Sequence, residues 1–114
     1  MGRVVGIDLG TTYSLIAFTD PQTGKPKCIP GPYGSTLCPS VVSVDLDGKI
    51  IVGEPARERL LTQPDRTIYS VKRLMGRGVA DVQEELKIFP FRIDPDGRNV
   101  IRVRLGDKLF TPPE

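Results

Sequence analysis

The chain has 114 residues, 16 of them basic and 14 acidic, with a net charge of +2, a balance too even and too scattered to point to nucleic acid or an anionic membrane. It lacks histidine and has two cysteines, Cys28 and Cys38, which excludes Ser-His and Cys-His nucleophile pairs and leaves no zinc-binding pattern; both thiols read as free and buried. No apolar run is long enough for a bilayer, no signal-peptide pattern opens the chain, and the length allows one domain, so a cytoplasmic protein is expected.

Val4, Val5 and Ile7 form a β-branched run, and Leu15 to Phe18 form a second apolar run. Each reads as a strand buried on both faces. Between them lies a polar tip, Asp8, Gly10, Thr11 and Thr12, that no core requires. Gly10 lets the backbone approach a ligand closely, and the amides and hydroxyls after it can donate to phosphate oxygens. Asp8 would hold a hydrated magnesium rather than the phosphates, which it repels. Glycine with threonine is also ordinary turn chemistry, so on this motif alone a plain hairpin stays open.

The turn-rich Asp20–Pro26 stretch is followed by a short strand, Lys27 to Ile29, giving a three-stranded meander. Pro30 to Ser35 reads as a surface loop that ends at Pro39. Val41 to Val44 and Lys49 to Val52, separated by Asp47-Gly48, make a hairpin. Glu54-Pro55-Ala56 opens a helix that stops by Pro64, with Ala56 and Leu60 on one face. After a short extended piece, Ile68-Tyr69, Ser70 is placed as the cap of a brief helix, Val71–Met75, which Gly76 ends. Val79, Val82 and Leu86 have helical spacing over Val79–Lys87.

The last third reads as a second meander: Phe89 to Ile93, a turn at Asp94–Gly97, Val100 to Leu105, then Lys108 to Phe110. Ile101, Val103 and Leu105 alternate with Arg102 and Arg104, so this sheet has one wet face. Thr111-Pro112-Pro113-Glu114 has the composition of a capping box, with proline at the first helical position. It suggests a helix opening, and hence a chain cut from a longer protein.

These residues together resemble the N-terminal part of the nucleotide-binding domain of the seventy-kilodalton heat-shock chaperones, the DnaK-type family. The resemblance rests on Gly6–Ser14, Pro39-Ser40, Val52–Ala56, Val71–Arg77 and Phe110–Glu114, in that order. It implies a mixed α/β fold: part of a ribonuclease-H-like, actin-like ATPase lobe I, with an antiparallel meander and a small α/β subdomain of short helices, over residues 1–114. Gly10, Thr11, Thr12 and Tyr13 match the family's first phosphate loop, with Thr11 nearest the γ-phosphate. Asp8 matches the aspartate that orients magnesium through water, and Lys72 the lysine that reaches the γ-phosphate and positions the attacking water.

The implied cofactors are ATP or ADP with Mg2+ in the complete domain. The implied partners of the parent are unfolded polypeptides, a J-domain cochaperone and a nucleotide exchange factor, with no nucleic acid and no membrane. The Gly31–Gly34 loop departs from the family's acidic, asparagine-containing loop. The chain alone is expected to be inactive and prone to self-association through an exposed lobe face. A sugar kinase of the same superfamily and a non-catalytic scaffold that keeps the hairpin are the alternatives.

Overall fold

Strand-forming runs and punctuating turns account for most of the observed architecture. The computed structural model describes residues 3–89, 92–93 and 101–114. Strands β1 (Val5–Leu9) and β2 (Tyr13–Thr19) pair antiparallel in the register Val5↔Phe18 to Leu9↔Ser14. After the Asp20–Pro26 turn comes β3 (Pro26–Cys28), one residue earlier than the composition suggests, which pairs with β2 through Ala17↔Cys28. A short strand that the sequence did not announce, β4 (Cys38–Pro39), also joins β2, through Tyr13↔Pro39 and Ser14↔Cys38. The meander is therefore a four-stranded sheet.

Three expectations fail in this sheet. β2, expected to be buried on both faces, is only half-buried at Leu15 to Phe18, because the buried core forms from the other sheets. β1 is exposed along its whole length, with Ile7 at 72% of full exposure and Val4, just before the strand, at 88%. β1 lies at the sheet edge with β2 as its pairing strand, and its apolar faces are left open. The two thiols are free, as expected, but exposed rather than buried, because β3 and β4 lie along the open border of β2. Their partners on β2, Ala17 and Ser14, are three residues apart, about 10 Å along a strand and on opposite faces. That exceeds disulfide reach.

The second sheet is built from β5 (Val41–Val44), β6 (Ile50–Val52) and β7 (Thr67–Tyr69), all antiparallel, with β5 central. The β5–β6 turn is organised by Asp45, whose Oδ1 accepts from the amides of Asp47 and Lys49, while Gly48 takes φ +84°. Helix α1 (Glu54–Thr62) follows β6 and buries Ala56. Gln63 then leads into a 3-10 turn, Pro64–Arg66, that delivers β7. Inside this sheet Ser43 and Thr67 are fully buried and bonded at 2.9 Å, and Thr67 Oγ1 donates to the Gln63 carbonyl. A buried hydroxyl pair is tolerable only because each member is satisfied.

The third sheet contains β8 (Arg92–Ile93), β9 (Val103–Leu105) and β10 (Lys108–Phe110). Ile101, Val103 and Leu105 are buried and alternate with half-exposed Arg102 and Arg104, as period two requires. The Asp94–Gly97 turn and the start of the strand at Val100 lie outside the described residues. The core joins the second and third sheets: Val44, Ile68, Leu74, Val82, Ile101, Val103 and Leu105 pack together, and Tyr69 meets Phe89 edge-on at 5.5 Å.

The segment read as one helix from Val79 to Lys87 is two pieces, a 3-10 turn (Val79–Val82) and then α2 (Gln83–Leu86). Val82 at the junction is fully buried, so a tertiary anchor decides the geometry where the local pattern was helical. At the C-terminus Thr111 donates from both its amide and its hydroxyl to the Glu114 carboxylate, at 2.6 and 3.0 Å. The reciprocity of a capping box is thus half formed.

Candidate functional site

The β1–β2 tip is shaped by one close approach. A Cβ placed on Gly10 would stand 2.1 Å from the Tyr13 carbonyl oxygen, so no other residue fits this turn without reshaping it. Asp8 faces Leu15 across the hairpin near its end, one pair from the closing pair Leu9↔Ser14. Gly10 and Thr11 are half-buried; Asp8, Thr12 and Tyr13 are exposed. Among the described residues no hydrogen bond holds the Asp8 carboxylate or the hydroxyls of Thr11 and Thr12. The hairpin therefore gathers one carboxylate, a tight glycine turn and two free hydroxyls at one apex.

Two residues outside the hairpin brace it. Ser40 Oγ donates to the Gly10 carbonyl at 2.8 Å, and the Ser40 amide donates to the Thr12 carbonyl at 2.8 Å. Ser14 Oγ lies 2.8 Å from Ser40 Oγ. Since the single Ser40 hydroxyl proton is directed at Gly10, Ser14 is the donor in that pair. On the other side Arg57 of α1 donates to Tyr13 Oη at 3.0 Å, stacks near its ring and pairs with Glu54. The Tyr13 hydroxyl bond, and then Glu54, raise the Arg57 pKa above its ordinary value.

The bracing roles of Ser40, Ser14 and Arg57 were not legible in the sequence. Their signal is positional: a serine after a proline and a basic residue in the second turn of a helix occur everywhere, and the fold alone puts them against the tip.

Lys72 sits in a 3-10 turn, Val71–Leu74, that is pinned by the fully buried Leu74 and leaves Lys72 and Arg73 exposed. The residue before the turn is not the side-chain cap that the sequence suggests. Ser70 makes no capping bond and takes φ +52°, a left-handed conformation for a non-glycine residue. It lies between β7 and the Lys72 turn. Gly76, at φ +72°, follows Met75 beyond the turn. Among the described residues Lys72 Nζ has no hydrogen bond or ion pair.

Register relates Lys72 to the tip. Val41, the neighbour of Ser40, pairs with Tyr69. In an antiparallel pair the residues after Tyr69 run past the same end of β5 that carries Ser40. The Lys72 turn thus leaves β7 at the strand end that Ser40 adjoins.

A model of the Hsp70 protein family matches residues 4–114, nearly the whole sequence. The chain belongs to the Hsp70 family. Its mixed α/β structure, with antiparallel strands and few short helices, is accordingly part of an actin-like ATPase lobe. Hsp70 proteins are chaperone ATPases, and the complete domain of the family uses nucleotide with Mg2+. The residues at this Hsp70 tip suit those groups in kind. Among the described residues no cluster of three or more acidic, histidine or cysteine groups forms a metal cage, and a lone Asp8 suits magnesium that keeps most of its water. No helix among the described residues is long and apolar enough to cross a membrane.

Proposed function

We propose that the hairpin tip and Lys72 are one half of a magnesium-ATP site in a chaperone ATPase. The observation that carries this reading is the Gly10 turn: a backbone curled so tightly that a methyl group has no room, placed between a strand-end carboxylate and two unbonded hydroxyls. In it Gly10 to Tyr13 contact the phosphates, Thr11 stands nearest the γ-phosphate, and Asp8 orients the hydrated magnesium. Lys72 reaches the γ-phosphate and positions the attacking water. Bound magnesium supplies charge neutralisation on the phosphate oxygens. Phosphoryl transfer depends on such alignment and neutralisation more than on a strong base, which fits a chain without histidine.

Residues 1–114 act in this reading as the first part of lobe I, and the opposing phosphate and adenosine contacts come from sequence outside them. The parent uses ATP to bind and release unfolded polypeptides, assisted by a J-domain protein and an exchange factor, in the cytoplasm. The 114-residue chain alone turns over little or no ATP, and its open β1 edge favours association with a second copy. The test is steady-state hydrolysis by the full-length protein. Asp8→Asn and Lys72→Ala should each lower turnover by about 10²- to 10³-fold while the protein stays folded. Unchanged turnover in both variants would remove these two residues from the site.

A further inference from the structure

We propose that Ser40 is the positioning residue of the phosphate loop, acting from behind it and touching no phosphate itself. This rests on the magnesium-ATP reading of the tip, and it adds to that reading a residue from another strand. Two of the loop's carbonyls, those of Gly10 and Thr12, are held by this one residue, the first by its hydroxyl and the second by its amide, both at 2.8 Å.

The peptide bond is planar and trans, so the N–H of residue 11 points opposite to the carbonyl of residue 10. Holding the Gly10 carbonyl on Ser40 therefore turns the Thr11 amide away from β4, toward the open side of the turn. An amide oriented in advance costs no reorganisation when an anion arrives. Ser14 completes the arrangement by donating to Ser40 Oγ, which leaves the Ser40 proton committed to Gly10.

The brace has a second end. Ser40 is followed directly by Val41, which pairs with Tyr69 in the second sheet, and Tyr69 is followed by left-handed Ser70 and then by the turn that carries Lys72. Ser40 is thus the point where the loop's orientation and the Lys72 turn refer to one strand end. It is half-buried and next to the buried Pro39, so its side chain has little freedom to choose another partner.

The experiment is amide NMR on the 15N-labelled full-length protein, comparing Ser40→Ala, Ser40→Thr and Ser14→Ala, without nucleotide and with Mg-ADP. Ser40→Ala should shift the Thr11 amide resonance, and the residue-40 amide, which donates to the Thr12 carbonyl, should exchange about five- to tenfold faster, the scale of one lost hydrogen bond. Ser40→Thr, which keeps the hydroxyl, should restore both readouts, and Ser14→Ala should have the smaller effect. A general loss of stability would instead move amides throughout the second sheet.

Thr11 signals in Ser40→Ala that match the unsubstituted chain would overturn the proposal, as would a failure of Ser40→Thr to restore them. In the full-length protein, a Ser40-dependent Thr11 amide that ignores Mg-ADP in every variant would support the brace and count against the nucleotide reading of the tip.

Discussion

At the scale of single residues, the clearest consequences come from backbone positions that admit one kind of side chain. Gly10→Ala must push the Tyr13 carbonyl aside, since the added carbon would lie 2.1 Å from its oxygen. The hairpin can shift as a unit, so we expect the fold to persist with an altered tip. In the full-length protein this should appear as loss of ATP affinity by isothermal titration, with near-normal circular dichroism.

Ser70 gives the opposite kind of prediction. If it were a helix cap, removing its hydroxyl would cost about 1 kcal/mol. It is instead a strained left-handed residue with no capping bond, so Ser70→Gly should raise stability by up to about 1 kcal/mol, the αL penalty it relieves. Denaturant midpoints distinguish the two outcomes by sign. Thr67→Val is expected to cost about 1 kcal/mol, because it removes one of two bonds at each of the Ser43 hydroxyl and the Gln63 carbonyl, which keep the Arg66 carbonyl and amide as partners.

At the scale of elements, short pieces are held by long polar side chains. Arg66 reaches across to the carbonyls of Val44 and Asp45, at 2.9 and 2.7 Å, and lies directly against the Gly106 turn between β9 and β10. A Cβ on Gly106 would stand 2.6 Å from the guanidinium, and the residue has φ +63°. Because Arg66 is fixed by two carbonyls it yields less readily than a free side chain. Gly106→Ala should therefore cost more than the roughly 1 kcal/mol assigned to a simple unfavourable glycine replacement, read as a fall in the thermal midpoint.

Arg77 plays a similar part around the Lys72 turn. It donates to the carbonyls of Arg73 and Asp81 and pairs with Glu85 on α2. The Glu85 carboxyl is held below the ordinary glutamate value by its own backbone amide first and by Arg77 second. A lowered folded pKa means that this tether is complete above the free-glutamate value of about 4.3 and is lost as pH falls through the lower folded value. Carbon-13 titration of the Glu85 carboxyl should show the depressed midpoint in the unsubstituted chain and its rise in Arg77→Ala.

At the scale of the whole molecule, the core and the candidate site occupy different places. The radius of gyration is 16.3 Å and the long axis 52 Å, against about 13 Å expected for a compact chain of this length. Sheets two and three share the buried cluster, whereas the sheet that bears the Asp8–Tyr13 tip exposes Val4, Ile7 and Leu9 beside an open cavity of about 1040 Å³ lined by Val5, Phe18 and Ile29. Hydrogen exchange should therefore be slow in β5 and β9 and fast in β1, as local stability follows buried contacts. An apolar edge strand without a charge or proline of its own to blunt pairing, apart from Asp8 at its end, also predicts association. Sedimentation velocity should show a rising average mass with concentration, and a monomer throughout would refute it.

Much of this protein was set by local chemistry. The Asp47-Gly48 turn, the proline-opened helix from Glu54, and the alternation of Ile101, Val103 and Leu105 are short-range effects of φ preference, missing amide protons and period-two burial, so they stand in the sequence itself. The polar content of the Asp8–Tyr13 tip is likewise visible there, since no core would select it. Tertiary structure decided the rest. It made β1 an exposed edge although its residues have the composition of a buried strand, because apolar character states what a residue avoids and not what covers it. It broke the Val79–Lys87 pattern at buried Val82, turned Ser70 from a cap into a left-handed hinge, and brought Ser40 and Arg57 against the tip. Those contacts join residues 26 to 44 positions apart, and the pairing of distant segments is a property of the packed chain, not of any window along it.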